Sequence, residues 1–197
     1  MVVATAALLW FARKSQTQTS STTKSTAGNT SKNPKDIYLG LRGMMLHGSR
    51  AKFSLPATSK PTEPWGVLMD WGVTKGTASV VAMSDGSASV YLSSGGGFIG
   101  GGGQKPIHNA ALKAVEIARE VRLLSTPVEA YPLPEQHEVF FYFLTDAGVY
   151  MERSSDQEMK SPSHPLKSIG DAMQEVITQY RIWDQSGRKG GGGTLVR

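Results

Sequence analysis

The residues that could do chemistry in this 197-residue chain gather in one stretch, residues 93–103, where seven of eleven positions are glycine. Gly95-x-Gly97-x-x-Gly100 has the spacing of a dinucleotide fingerprint and follows a strand-like run ending at Leu92. That fingerprint works only within a parallel βαβ unit, where the helix opens inside the glycines and its N-terminus receives the pyrophosphate. Here the preceding strand reads as part of an antiparallel hairpin, and Pro106 separates the glycines from the next helix. Gly103-Gln104-Lys105 is the nearest approach to a phosphate-loop Gly-Lys-Ser/Thr. A simpler anion site survives: backbone N–H groups of Gly97, Gly100 and Gly101 beside a helix N-terminus, with Lys105 and His108 close in sequence. The competing reading is a turn-rich connection that exploits glycine's permissive backbone.

The remaining candidates are sparser. His47, His108, His137 and His164 fall at four separate element ends with no metal-binding spacing, and there is no cysteine. A zinc site needs about four converging ligands, so no metal is expected. Ser21-x-x-Lys24 matches a catalytic pattern in letters only, inside a polar segment, and Ser93-Ser94 has no Gly-x-Ser-x-Gly elbow around it. No nucleophile has a base at a recognisable spacing. The chain therefore reads as a non-enzyme without a cofactor. Asp70 lies between Met69 and Trp71 on a strand, which suggests a half-exposed polar face. Trp65, Trp71 and Asp70 would mark a partner surface if the two tryptophans pointed outward together.

Charge narrows the partners. The net charge is +5, but the basic excess sits in the two ends. Arg13, Lys14, Lys24, Lys32 and Lys35 precede the first acid, whereas residues 36–185 carry 13 basic and 16 acidic residues. A nucleic-acid face needs Lys/Arg clustered on the fold itself, so nucleic acid is not an expected partner. An unidentified protein is, and the oligomeric state is left open.

Composition divides the chain into four segments. Residues 1–14 form a hydrophobic anchor or targeting segment: from Met1 to Ala12 the chain is uncharged and mostly apolar, and Trp10-Phe11 then Arg13-Lys14 resembles a membrane-interface edge. Twelve residues are fewer than the ~20 needed to span a bilayer. The run is thus the end of an anchor, a signal-like segment or an organelle transit segment. The positive-inside rule would place the chain after residue 13 on the cytoplasmic side; a soluble cytoplasmic protein is the alternative. Residues 15–35 are a Ser/Thr-rich tether with too little apolar surface to fold. Residues 36–185 form one domain, and 186–197 are a glycine-rich tail expected to be disordered.

Within the domain, periodicity predicts a helix over 36–47 with Asp36 near its N-cap. Strands come next at 65–71, 78–83 and 87–92, then a helix over 107–124. A strand over 137–146, its hairpin partner at 149–153 and a helix over 165–183 complete the set. Asp85-Gly86 signals a tight primed hairpin turn. Alternation puts Trp65, Val67, Met69 and Trp71 on one face of the first strand and gives the meander one wetter face. The strand at 137–146 is apolar on both faces and should be central. The order α-β-β-β-α-β-β-α makes an α+β domain with a five-stranded, mainly antiparallel sheet and packed helices. In outline it is similar to profilin-like and roadblock-like sensor and adaptor domains. That resemblance covers element order over about 36–185 and implies shape alone.

These residues support three functional readings. The first is a non-catalytic interaction or regulatory domain tethered to a membrane. The second is a small-ligand or anion-binding domain using residues 93–105. The third is an immunity- or inhibitor-like protein that blocks its partner with an acidic sheet face.

Overall fold

The computed structural model describes residues 33–187 and the backbone of 194–196. The anchor and tether readings for residues 1–32 lie outside the described residues.

Helix α1 (Pro34–Leu46) starts earlier than its sequence signal. Asn33, and not Asp36, is the N-cap: its side-chain oxygen accepts from the Lys35 N–H at 3.1 Å, and Pro34 opens the first turn. The chain then enters a meander of β1 (Gly66–Val73), β2 (Gly76–Met83), β3 (Ala88–Leu92) and β4 (Gly97–Ile99). Helix α2 (Lys105–Val121) comes next, then β5 (Thr126–Val128), β6 (Glu138–Thr145), β7 (Gly148–Ser155), α3 (Lys167–Gln185) and β8 (Thr194–Val196).

The five-stranded sheet and the order α-β-β-β-α-β-β-α are therefore corrected. Seven antiparallel strands come from the body of the domain, and β8 adds an eighth, in the order β5-β7-β6-β1-β2-β3-β4-β8. The outline likeness to profilin-like and roadblock-like domains rested on the five-strand order and lapses with it. The three additions are three-residue strands at the sheet's two ends. One lies inside the glycine stretch, one in the proline-containing connection and one in the C-terminal segment.

Both faces of the sheet are covered. Helices α2 and α3 lie on one face, burying Ala111, Ala114, Ile169, Met173 and Tyr180 against Val67, Met69, Trp71, Val80, Val90 and Phe141. On the other face Tyr38, Met45 and Leu46 of α1, with Leu55 and Trp65, pack on Leu68, Val81, Tyr142 and Leu144. β6 divides its apolar residues between the two cores as its pattern predicts.

Three local expectations change. Trp65 precedes β1 and joins the α1 side, whereas Val67, Met69 and Trp71 face α2 and α3. The wetter meander face is dry: Ser79, Ser89 and Tyr91 are buried. The Asp85-Gly86 hairpin uses one positive φ, at Gly86. Asp85 instead braces the turn by accepting from the Ser87 N–H at 2.9 Å and the Ser87 hydroxyl at 2.9 Å.

Candidate functional site

Asp70 is 0 % exposed, in contrast to the half-exposed face that strand alternation suggests for it. β1 places it opposite Ser79 of β2, and α1 crosses above both. Burying a carboxylate costs several kcal/mol unless it is paired and hydrogen-bonded, and here it is both. Arg42 Nε donates to Asp70 Oδ2 at 2.7 Å. The Ser79 hydroxyl donates to Asp70 Oδ1. With that proton committed, the Ser79 oxygen accepts from the Tyr38 hydroxyl at 2.9 Å. The rest of the Arg42 fork donates to the carbonyls of Tyr131 at 3.0 Å and Pro132 at 2.9 Å. The Tyr142 hydroxyl donates to that Pro132 carbonyl at 2.7 Å, and Arg42 lies over the Tyr142 ring.

One buried chain of bonds thus ties α1, β1, β2, β6 and the 131–132 connection together. Burial pushes the Asp70 carboxyl above its usual range; the Arg42 charge and the Ser79 hydroxyl oppose the shift without cancelling it. Burial also raises the Tyr38 phenol, with Asp70 adding to the shift. The arrangement holds a helix on a sheet. It leaves Asp70 no route to solvent.

The tryptophans singled out for a partner surface are buried, Trp65 at 1 % and Trp71 at 3 % exposed, in different cores. Trp65, Trp71 and Asp70 therefore do not share an outward face.

The glycine stretch is an ordered crossing. Residues 93–96 turn β3 into β4: Gly95 N–H donates to the Leu92 carbonyl at 2.9 Å, and Leu92 N–H to the Gly96 carbonyl at 3.0 Å. Gly97 is in β4, and Gly100, in left-handed backbone, leads to one 3-10 turn over Gly101–Gly103. Gly101 donates its N–H to the Tyr180 hydroxyl at 3.0 Å, and that hydroxyl donates to the Ala88 carbonyl at 2.6 Å. A Cβ on Gly101 would lie 2.2 Å from the same oxygen, so the close approach itself requires glycine. Pro106 sits in the first turn of α2 and does not separate it from the glycines. Lys105 is exposed, while the His108 ring lies against Gly86 of the β2–β3 hairpin. The five candidate anion ligands are thus divided among a strand, a hydrogen-bonded turn, a hairpin contact and solvent.

Two serine–histidine or acid–histidine arrangements escaped the sequence because their partners meet across loops. Ser154 Oγ is 3.3 Å from His164 Nε2. The Leu166 N–H donates to His164 Nδ1 at 3.2 Å, which fixes Nδ1 as the acceptor and leaves the proton of the neutral ring on Nε2. In that tautomer His164 donates towards Ser154 and cannot take its proton. The Ser155 hydroxyl and N–H hold Glu158 below its ordinary range. His137 Nδ1 donates to Asp156 Oδ2 at 3.0 Å, and its Nε2 accepts from the Gln136 amide at 3.2 Å. Neither of its ring nitrogens faces a hydroxyl.

Two concavities stand out. A shallow groove between Ser84 and the Asn109–Arg119 side of α2 has its charges paired, Lys113 with Glu116 and Arg119 with Glu63, both at 2.8 Å. A small apolar crevice separates Ile37 and Leu41 of α1 from Leu92, Gly95 and Gly96. Among the described residues no group of three or more His, Asp or Glu converges as metal ligands, and no helix is long and apolar enough to cross a membrane. No family model, curated protein or solved structure matched the chain.

Proposed function

We propose that this chain is a non-catalytic interaction or regulatory domain, held near a membrane by its N-terminal segment. The tethering half rests on the uncharged apolar run from Met1 to Ala12, the Arg13-Lys14 step and the acid-free segment that leads into the α1 N-cap. The observation that carries the interaction half is the corner after α2, where Leu123 is 75 % and Leu124 59 % exposed. Local contacts brace this corner. Arg122 stacks on the Tyr150 ring at 3.8 Å, and its carbonyl accepts from both the N–H and the hydroxyl of Ser125. β5, the strand at that end of the sheet, comes immediately after it. Two adjacent exposed leucines beside an edge strand support a contact surface there. An inhibitor acting through an open acidic sheet face has less support, because helices cover both faces. An anion-binding function has less support too, since Gly101 has already given its N–H to Tyr180.

The test has two arms on the full chain. Co-flotation with anionic lipid vesicles is expected for the wild type and should be lost in Leu8→Asp/Leu9→Asp; equal flotation of both overturns the tether. A photo-crosslinking residue at position 124 should give a discrete protein adduct that Leu123→Ser abolishes. No adduct at 124, with the chain otherwise folded, overturns the contact surface.

A further inference from the structure

The end of the sheet opposite the Leu123–Leu124 corner is closed by the chain's own C-terminal segment. β8 pairs antiparallel with β4 in the register Gly97↔Val196, Phe98↔Leu195 and Ile99↔Thr194, and among the described residues β4 is its one neighbour in the sheet. Between α3 and β8 lie residues 186–193, of which five of eight are glycine. Attachment through these eight residues makes pairing of the tail an intramolecular event, against which a free segment must compete.

β4 is organised from its other side. Gly97 packs so closely that a Cβ would come 2.2 Å from the Val90 carbonyl oxygen. Phe98 is buried, stacked on Tyr180 at 5.4 Å and edge-on to Trp183 at 5.7 Å. Tyr180 in turn is bonded to Gly101 and Ala88 on either side of β4. The edge is thus built by β3, α3 and the glycine turn, and β8 pairs with it over three residues. Trp183, 7 % exposed in the same aromatic cluster, has an Nε1–H with no acceptor among the described residues. Beside it Ile182 is 50 % exposed. A preformed edge, a short tethered strand and an unused donor nearby describe a strand-addition site.

We propose that the outer edge of β4 is a docking site for an extended peptide segment of a protein partner, and that Thr194–Val196 fills it in cis until such a segment displaces it. The partner chemistry is that of the tail itself: an extended, proline-free run of β-branched and aliphatic residues. The inference rests on the interaction-domain reading and names the partner's class.

The probe is the free peptide Gly-Gly-Gly-Thr-Leu-Val-Arg, titrated into ¹⁵N-labelled full chain and into Leu195→Pro, a change confined to the tail. In Leu195→Pro the peptide should shift the amides of Gly97, Phe98 and Ile99 and the Trp183 indole. Half-saturation should come at a concentration at least threefold lower than in the wild type, where the tail competes. The amides of Gly97–Ile99 should also exchange faster in Leu195→Pro before peptide is added. Identical titrations of both chains, or shifts that miss β4, overturn the proposal. A wild-type dimer that Leu195→Pro dissolves also overturns it, by assigning the edge to a second copy's tail. None of these outcomes bears on vesicle flotation, so the tether stands or falls separately.

Discussion

Arg42 and Asp70 are joined through Nε and Oδ2 at 2.7 Å, with side chains 7 % and 0 % exposed. Removing one partner of such a pair leaves the other as an uncompensated buried charge, which costs about 3–5 kcal/mol. The two removals are not equivalent. Arginine cannot shed its proton, whereas burial already raises the Asp70 carboxyl. Asp70→Asn should lose about 3–5 kcal/mol at neutral pH and regain little on acidification. In Arg42→Met the orphaned carboxyl can protonate. Between its ordinary and raised values the folded chain then holds a proton that the unfolded chain has released, so stability falls as pH rises. The Arg42→Met penalty relative to wild type should therefore shrink as pH is lowered. Urea titrations of both variants at pH 7 and pH 5 measure this.

Tyrosine ionisation should report the same burial. Burial pushes the Tyr142 phenol up to about 12, with Arg42 opposing and Asp70 adding to the shift. Tyr38, Tyr91 and Tyr180 are raised chiefly by burial too. Each keeps its proton in the folded chain at a pH where the unfolded chain has lost it. Stability contributed by these groups is intact below the ordinary phenol value of 10.0 and is lost as pH rises through their raised values, about 12 for Tyr142. Absorbance at an alkaline pH near 11 should show fewer tyrosinates than the same chain in urea, followed by cooperative unfolding at higher pH. A smooth titration to the full tyrosinate count without unfolding would contradict the buried network.

These groups show what the sequence could and could not convey. α1, β1, β2, β3, β6, β7, α2 and α3 were legible because each is long enough for its period to repeat. β4, β5 and β8 were not. Three residues carry no period, Gly97 and Pro127 speak against strands, and each strand exists through pairing with a neighbour distant in sequence or across a turn. Asp70 and Ser79 read as a solvent face because alternation records polarity and not coverage. Only α1's path over that face, fixed by Tyr38 and Arg42, buries them. The glycine stretch drew attention through spacing, but its constraint at Gly101 comes from Tyr180, 79 residues away.

The His164 ring offers a direct spectroscopic check. Its Nδ1 accepts from the Leu166 N–H at 3.2 Å and its Nε2 approaches the Ser154 hydroxyl at 3.3 Å. Long-range ¹⁵N–¹H correlation at neutral pH should find the proton on Nε2. Signal from the Nδ1–H form would restore His164 as a base for Ser154 and reopen hydrolytic chemistry there. A serine-directed fluorophosphonate is accordingly expected to leave Ser154 unlabelled.

Glycine substitutions separate helix propensity from close packing. Gly40 and Gly43 lie within α1, and a Cβ on either would meet nothing within 4 Å. Alanine there should stabilise the chain by about 0.5–1 kcal/mol each, because glycine loses more backbone freedom on entering a helix. Gly101→Ala should act in the opposite sense. Its Cβ would lie 2.2 Å from the Tyr180 hydroxyl oxygen and 2.6 Å from the ring carbon that bears it. Tyr180 cannot yield easily, since its ring is stacked on Phe98 and its hydroxyl is bonded to Ala88. Overpacking of this kind costs about 1–3 kcal/mol. Tyr180→Phe removes the nearest clashing atom, though not the ring carbon, and leaves the buried Gly101 N–H and Ala88 carbonyl without their hydroxyl, at about 1–3 kcal/mol. In the double variant the two losses should sum to less than their separate values, because the deleted oxygen is the atom that the new methyl strikes. Strict additivity in urea denaturation would mean that Gly101 and Tyr180 do not touch.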